Sequence, residues 1–174
     1  GYGMTEFLVN RSYADKYNLI ACAIGHHIYE SRWLHDQKYL DQIIHTWYRG
    51  NEGKPMSRMM KFSSWNPDAV LNRYMVNGDK EYLLDLKDDL EQEYIRWEES
   101  HRLKNGLYWQ GDVQDGMEES ISGGRRKQYA RPTINSYMYG NFRAIANIAA
   151  LAKQQSLAKS YTLKADTLKR LIET

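Results

Sequence analysis

The chain has 174 residues and a mass of 20.5 kDa, which suits one domain and fits poorly with two full ones. Its 24 Lys and Arg against 22 Asp and Glu leave a net charge of +2, which argues against a nucleic-acid surface or a membrane patch built on bulk positive charge. Hydrophobic residues at 42% supply a core, and aromatics at 13% in a chain of mean hydropathy −0.74 imply that some rings line a wet surface. No stretch approaches the apolar length of a membrane span. The lone Cys22 excludes an intramolecular disulfide and a multi-Cys zinc site. It sits in an apolar run, Leu19 to Ile24, and reads as a buried, inert thiol.

The periodicity is helical almost throughout. Ser12 reads as the cap of a helix through Ile24, with Tyr13, Tyr17, Ile20 and Ile24 on one stripe and a continuation toward Trp33 weakened at Gly25. Asp36 then caps a helix with Tyr39, Leu40, Ile43, Ile44 and Trp47 on one face, ended by Gly50. After a loop, Asn66-Pro67-Asp68 reads as N-cap, first helical position and dipole partner of a helix ending at Asn77-Gly78. Asp79 caps the next, running to His101. Residues 106–131 break the pattern with five glycines and only a short strand at 107–110. Helical order resumes near Asn135, and Ser156 caps a last helix. The reading is all-α, about six helices joined mostly by short turns, which favours antiparallel hairpins.

The loop at 106–131 is long and chemically loaded, and such loops are usually functional or disordered. It sets Asp112, Asp115, Glu118 and Glu119 beside Tyr108 and Trp109. Glycoside cleavage needs a carboxylic acid at the leaving oxygen and a second carboxylate across the ring. A carboxyl against an indole is partly desolvated, which raises its pKa toward that of a working acid. By composition alone a solvated acidic loop is the plainer reading, and the spacing does not supply a calcium loop. Three further clusters combine polar and aromatic residues near a helix start or a loop: 32–36 with Arg32 and Trp33, 63–66 with Trp65, and 131–141 with Asn135 and Tyr139. His26, His27 and Glu30 lack the zinc-protease spacing. No metal and no other cofactor is expected, and no serine-nucleophile elbow, phosphate loop or dinucleotide fingerprint appears. In a barrel of helical hairpins the loops at one end converge, which would gather the four clusters into one pocket.

At these residues a resemblance emerges. Asp115-Gly-Met-Glu-Glu-Ser-Ile-Ser-Gly123 and Arg131-Pro-Thr-Ile-Asn-Ser-Tyr-Met-Tyr-Gly140, with His27-Ile-Tyr-Glu-Ser-Arg-Trp-Leu34 and Ser64-Trp-Asn-Pro-Asp-Ala69 upstream, resemble the mannosylglycerate-hydrolase-like and family 63-like glycoside hydrolases. The resemblance runs over most of residues 26–170. It implies an (α/α)6 toroid of which this chain carries about half, with 1–174 forming a single segment from the N-terminal half of the catalytic domain. It implies an α-glycosidase, usually inverting, with a carbohydrate substrate and an extracytoplasmic setting. Glu118 falls where relatives carry the Asp of a Gly-Met-Asp general acid. Arg32, Trp33, Trp65, Trp109, Asn135 and Tyr139 would line the sugar pocket, and Asp115, also a candidate for sugar contact, stands with Glu119 as a rival for the acid role. The family's base usually comes from the later half, so a second copy or a missing C-terminal half is the expected partner. The alternatives are a non-catalytic helical-hairpin scaffold and a sugar-binding module, and the carboxylate-rich loop is the feature a scaffold has no need of.

Overall fold

The computed structural model describes residues 9, 11–116 and 127–174. Among them, seven α-helices follow in order: α1 (Ile24–Ser31), α2 (Lys38–Arg49), α3 (Asn66–Asn77), α4 (Lys80–Asp85), α5 (Lys87–His101), α6 (Pro132–Leu151) and α7 (Gln155–Glu173). Between α5 and α6 lie β1 (Trp109–Gln110), a 3-10 turn at Val113–Asp115 and β2 (Tyr129–Ala130), with β1 and β2 paired antiparallel. The fold is all-α, a partial toroid of helical hairpins.

Helix α6 is the central element, because it is apolar on two sides. Ile134, Met138, Phe142 and Ile145 recur at helical spacing and bury against Tyr161, Ala165 and Leu168 of α7 and Tyr94 and Trp97 of α5. Ala144 and Ile148 enter the other hydrophobic cluster, formed around Ile24, Ile28, Ile44, Trp47, Val70 and Leu90. Each fully buried side chain of this kind contributes about 1.5–3 kcal/mol. Helix α6 thus joins both halves of the core.

Buried polar groups tie the helices together. Glu93 on α5 is fully enclosed and accepts from Tyr48 Oη at 2.6 Å, Asn66 Nδ2 at 3.1 Å and Ser64 Oγ at 3.3 Å. Burial raises its pKa, and these donors work against the rise. Asn141 of α6 donates to Ser64 O at 3.1 Å and accepts from Asp68 N–H at 3.4 Å. The turn before α3 is therefore held to both α5 and α6.

Several expected elements differ. The helix expected from Ser12 to Ile24 is replaced by 3-10 turns at Lys16–Asn18 and Ala21–Ala23, because Tyr17 and Asn18 adopt φ of 61° and 60°, outside the helical region. Cys22 is exposed, a correction to the buried thiol: in that 3-10 turn Ala21 and Ala23 enter the core and Cys22 faces outward. The helix expected from Asp79 to His101 tightens at Leu86, where the Asp85 carbonyl accepts from the Arg49 guanidinium at 2.8 Å. Helix α3 begins one residue early, and Asn66 does not cap it: Nδ2 donates to Glu93, and Oδ1 has no hydrogen-bond partner among the described residues. Helix α6 starts at Pro132, not near Asn135, and α7 starts at Gln155, ahead of the expected Ser156 cap.

Trp97, His101 and Trp109 form an aromatic column at the end of α5, with centroid separations of 4.5 Å and 4.4 Å. Burial holds the His101 pKa down to about 4, against an ordinary 6.5. The unfolded chain then binds the proton more tightly than the folded one. His101 therefore contributes full stability above pH 6.5, and that contribution fades as pH falls toward about 4. His101→Phe keeps a ring in the column, so the variant is expected to show a flatter melting temperature across this window than wild type; an unchanged slope would contradict the assignment.

Candidate active site

The start of α6 lacks a cap of its own. Arg131 occupies the N-cap position with extended backbone and makes no side-chain capping bond, so the first amides of a 20-residue helix depend on other groups. Asp115 fills the place from a distance of 19 residues: its Oδ1 accepts from the Ile134 N–H at 2.9 Å. The same oxygen accepts from the Ser63 hydroxyl, 52 residues away in sequence. Asp115 is 3% exposed, and Oδ2 has no hydrogen-bond partner. Burial raises its pKa, opposed by hydrogen bonds from Ser63, Thr133 and Ile134. The positive end of the helix also favours the charged form.

A cleft of about 200 Å3 opens here, lined by Cys22, His26, Ser63, Asp115, Thr133 and Tyr137 among others. That is below the ~300–1,000 Å3 of drug-sized ligands. Beside it stands an aromatic wall. Trp65 meets His26 and Tyr29 edge-on at 5.3 Å and 4.5 Å, and lies tilted against Tyr137 at 6.2 Å. The Arg32 guanidinium lies 3.7 Å over the Tyr29 ring. The Tyr29 hydroxyl donates to Asp68 Oδ2 at 3.5 Å, and burial raises the pKa of both groups. Gly25 permits the wall: a Cβ there would stand 2.5 Å from Trp65 Cε2. Gly25→Ala is therefore expected to cost about 1–3 kcal/mol by overpacking and to change the Trp fluorescence, readable as a lowered melting temperature with a shifted emission maximum.

The convergence expected from the four clusters is found for part of each. Ser63, Asp115 and Tyr137 meet at the cleft, Trp65 packs against Tyr137 beside it, and Arg32 joins through Tyr29. The register of α6 separates the rest. At 3.6 residues per turn, Thr133 and Tyr137 share one face, and Asn135 and Tyr139 another. Asn135 is buried, and its amide is taken up by the Tyr108 backbone, accepting from N–H at 2.9 Å and donating to C=O at 2.8 Å, with a further bond to Arg131 O at 2.7 Å. Tyr139 packs against the α5–α6–α7 cluster. Trp109 stacks on His101, and Trp33, 67% exposed, stands on the surface 5.2 Å from the Arg32 guanidinium. Asp112 is committed to a buried ion pair with Arg131, whose Nε also donates to Gln110 O at 3.2 Å. Glu118 and Glu119 lie outside the described residues. His26, Ser63, Thr133 and Tyr137 line the cleft without having been singled out as sugar contacts; the i, i+4 spacing of Thr133 and Tyr137 becomes informative only once the helix is known to start at Pro132.

Among the described residues no group of three or more His, Cys, Asp or Glu is placed to hold a metal ion, and no helix is long and apolar enough to cross a membrane.

A comparison with curated proteins gave no match. A solved structure named sialidase is 73% identical with a TM-score of 0.96; the match covers 100% of this chain and 16% of that one, so the present chain spans about a sixth of its relative's length. The model of the mannosylglycerate hydrolase MGH1-like glycoside hydrolase domain matches residues 16–174, and the chain, with its helical hairpins and carboxylate-bearing cleft, belongs to that family.

Proposed function

We propose that this chain carries the acid side of a glycosidase site, with Glu118 as general acid of an inverting hydrolysis of an α-glycoside. The observation that supports this most is the cleft at the start of α6. Four stretches far apart in sequence bring a buried carboxylate, hydroxyls and an aromatic wall to one opening. Trp65 and Tyr137 offer apolar faces to a pyranose ring, and Thr133 and His26 offer partners for its hydroxyls. Glu118 follows Asp115 by three residues in sequence. Its carboxyl would protonate the leaving oxygen while a second carboxylate, across a gap of ~6.5–9.5 Å, activates the water. That base would come from the later half of an (α/α)6 domain or from a second copy of the chain.

The test is hydrolysis by the full-length protein of a panel of α-linked disaccharides and aryl glycosides. A sialoside belongs in the panel, because the 73% identical relative is named sialidase. Turnover with inversion at the anomeric carbon supports the reading. Binding without turnover of any member would favour a sugar-binding module, and neither binding nor turnover a scaffold.

A further inference from the structure

We propose that Asp115 is a positioning residue of this site: its carboxylate serves as the missing N-cap of α6 and, through Ser63, clamps the Val113–Asp115 turn and the turn before α3 onto that helix. The proposal rests on the glycosidase reading for its catalytic consequence and on geometry for the clamp itself. Helix α6 has no side-chain capping bond from its own N-cap residue. Its third residue, Ile134, gives its N–H to Asp115 Oδ1 at 2.9 Å. The Ser63 hydroxyl approaches the same oxygen, and the Ser63 N–H donates to Gln114 O at 2.9 Å, so two successive residues of the turn hold one serine. The Asp115 N–H closes the turn on Gly111 O at 2.9 Å. Gly116, immediately after the anchor, takes the left-handed conformation at φ 74°.

This arrangement gives Asp115 a different task from the sugar contact or acid suggested by sequence. An acid must release and recover a proton toward the leaving group, and Asp115 Oδ1 is already engaged by a backbone amide and a hydroxyl. The clamp instead fixes Thr133 and Tyr137, one and five residues beyond Pro132, relative to Ser63 across the cleft. A displacement of about 1 Å in such positions can cost ~10²-fold in rate.

The experiment compares wild type, Asp115→Asn, Asp115→Ala and Ser63→Ala in the full-length protein. Two readouts are taken: kcat and KM on a glycoside that wild type hydrolyses, and amide exchange over residues 131–137. Asparagine is a good N-cap and keeps an accepting oxygen. Asp115→Ala is expected to lose about 100-fold in kcat/KM together with exchange protection at 133–137. Asp115→Asn is expected to recover to within about tenfold of wild type with protection restored. Ser63→Ala, which leaves the Ile134 bond, should show a smaller loss in both, and it serves if the alanine at 115 fails to fold. The idea is overturned if Asp115→Asn is as inactive as Asp115→Ala while exchange stays at the wild-type level, because the carboxylate would then act on the substrate. It is equally overturned if Asp115→Ala leaves protection unchanged. Should wild type hydrolyse nothing, the glycosidase reading fails, and the exchange data alone decide whether the clamp exists.

Discussion

Glu118→Gln is expected to lower kcat by about 10²–10⁴-fold, the usual contribution of a general acid, while sugar affinity stays within a few-fold of wild type. Glutamine has nearly the same shape and can still meet a ligand oxygen, but it has no proton to give to a leaving alkoxide. The leaving group refines the test. An aryl glycoside with a nitrophenolate departs without protonation, so the variant should retain far more activity on it than on a disaccharide. Equal losses on both substrates would show that Glu118 does something other than protonate. The matched variant Glu119→Gln separates neighbours: a loss confined to 119 would transfer the role by one residue. Measuring kcat against pH adds a sign. A general acid must be protonated, so wild-type turnover should fall as pH rises through its pKa, and the disaccharide activity left in Glu118→Gln should lack that limb.

Much of the helical order was legible because it follows from local rules. The stop at Asn77-Gly78 and the cap at Asp79 appear as expected, with Gly78 at φ 71° and Asp79 accepting from the Tyr82 N–H. The Lys38 N–H donates to Asp36, which stands one residue ahead of the Gln37 N-cap of α2. What failed was decided by distant partners. Nothing near Tyr17 announces that Asn18 will exchange hydrogen bonds with Val9 and Arg11 and turn the backbone left-handed. Nothing near Asn66 announces a buried glutamate on α5 waiting for its amide.

The same distinction divides the site. The clusters were visible as composition, since polar and aromatic residues crowd together in them. The division of labour within each cluster was hidden, because it depends on helix register and long-range hydrogen bonds. Asn135 and Tyr137 sit two residues apart in one motif, yet the first ties down Tyr108, just before β1, and the second lines the cleft. Asp112 and Asp115 are likewise near neighbours: one neutralises a buried arginine, the other caps a helix. A residue's chemical type announces what it is able to do, and only its partners fix what it does.

Asp112→Ala is expected to be the most damaging of the structural substitutions. Asp112 and Arg131 are each about 2% exposed at the side chain, and they form an ion pair across the segment between β1 and α6. Removing the carboxylate takes from the enclosed Arg131 guanidinium the ion-pair partner it has here, at a cost of about 3–5 kcal/mol. The charge left behind belongs to Arg131, the residue immediately before Pro132, so the damage falls on the start of α6. Exchange protection over residues 132–138 should therefore drop by about 10²–10⁴-fold, the equivalent of that free energy at ~1.4 kcal/mol per tenfold. The paired replacement Asp112→Leu with Arg131→Met removes both charges and should recover most of the loss, since apolar substitutes for a buried pair are often neutral or stabilising. A loss under about tenfold in Asp112→Ala would mean that water reaches the guanidinium and that the pair carries little. Combining Asp112→Ala with Asp115→Ala adds a further test. Both carboxylates hold the same helix start, so their losses are expected to be non-additive by about 0.5–3 kcal/mol; strict additivity would show that the ion pair and the cap act on separate parts of the chain, and that the cleft depends on the cap alone.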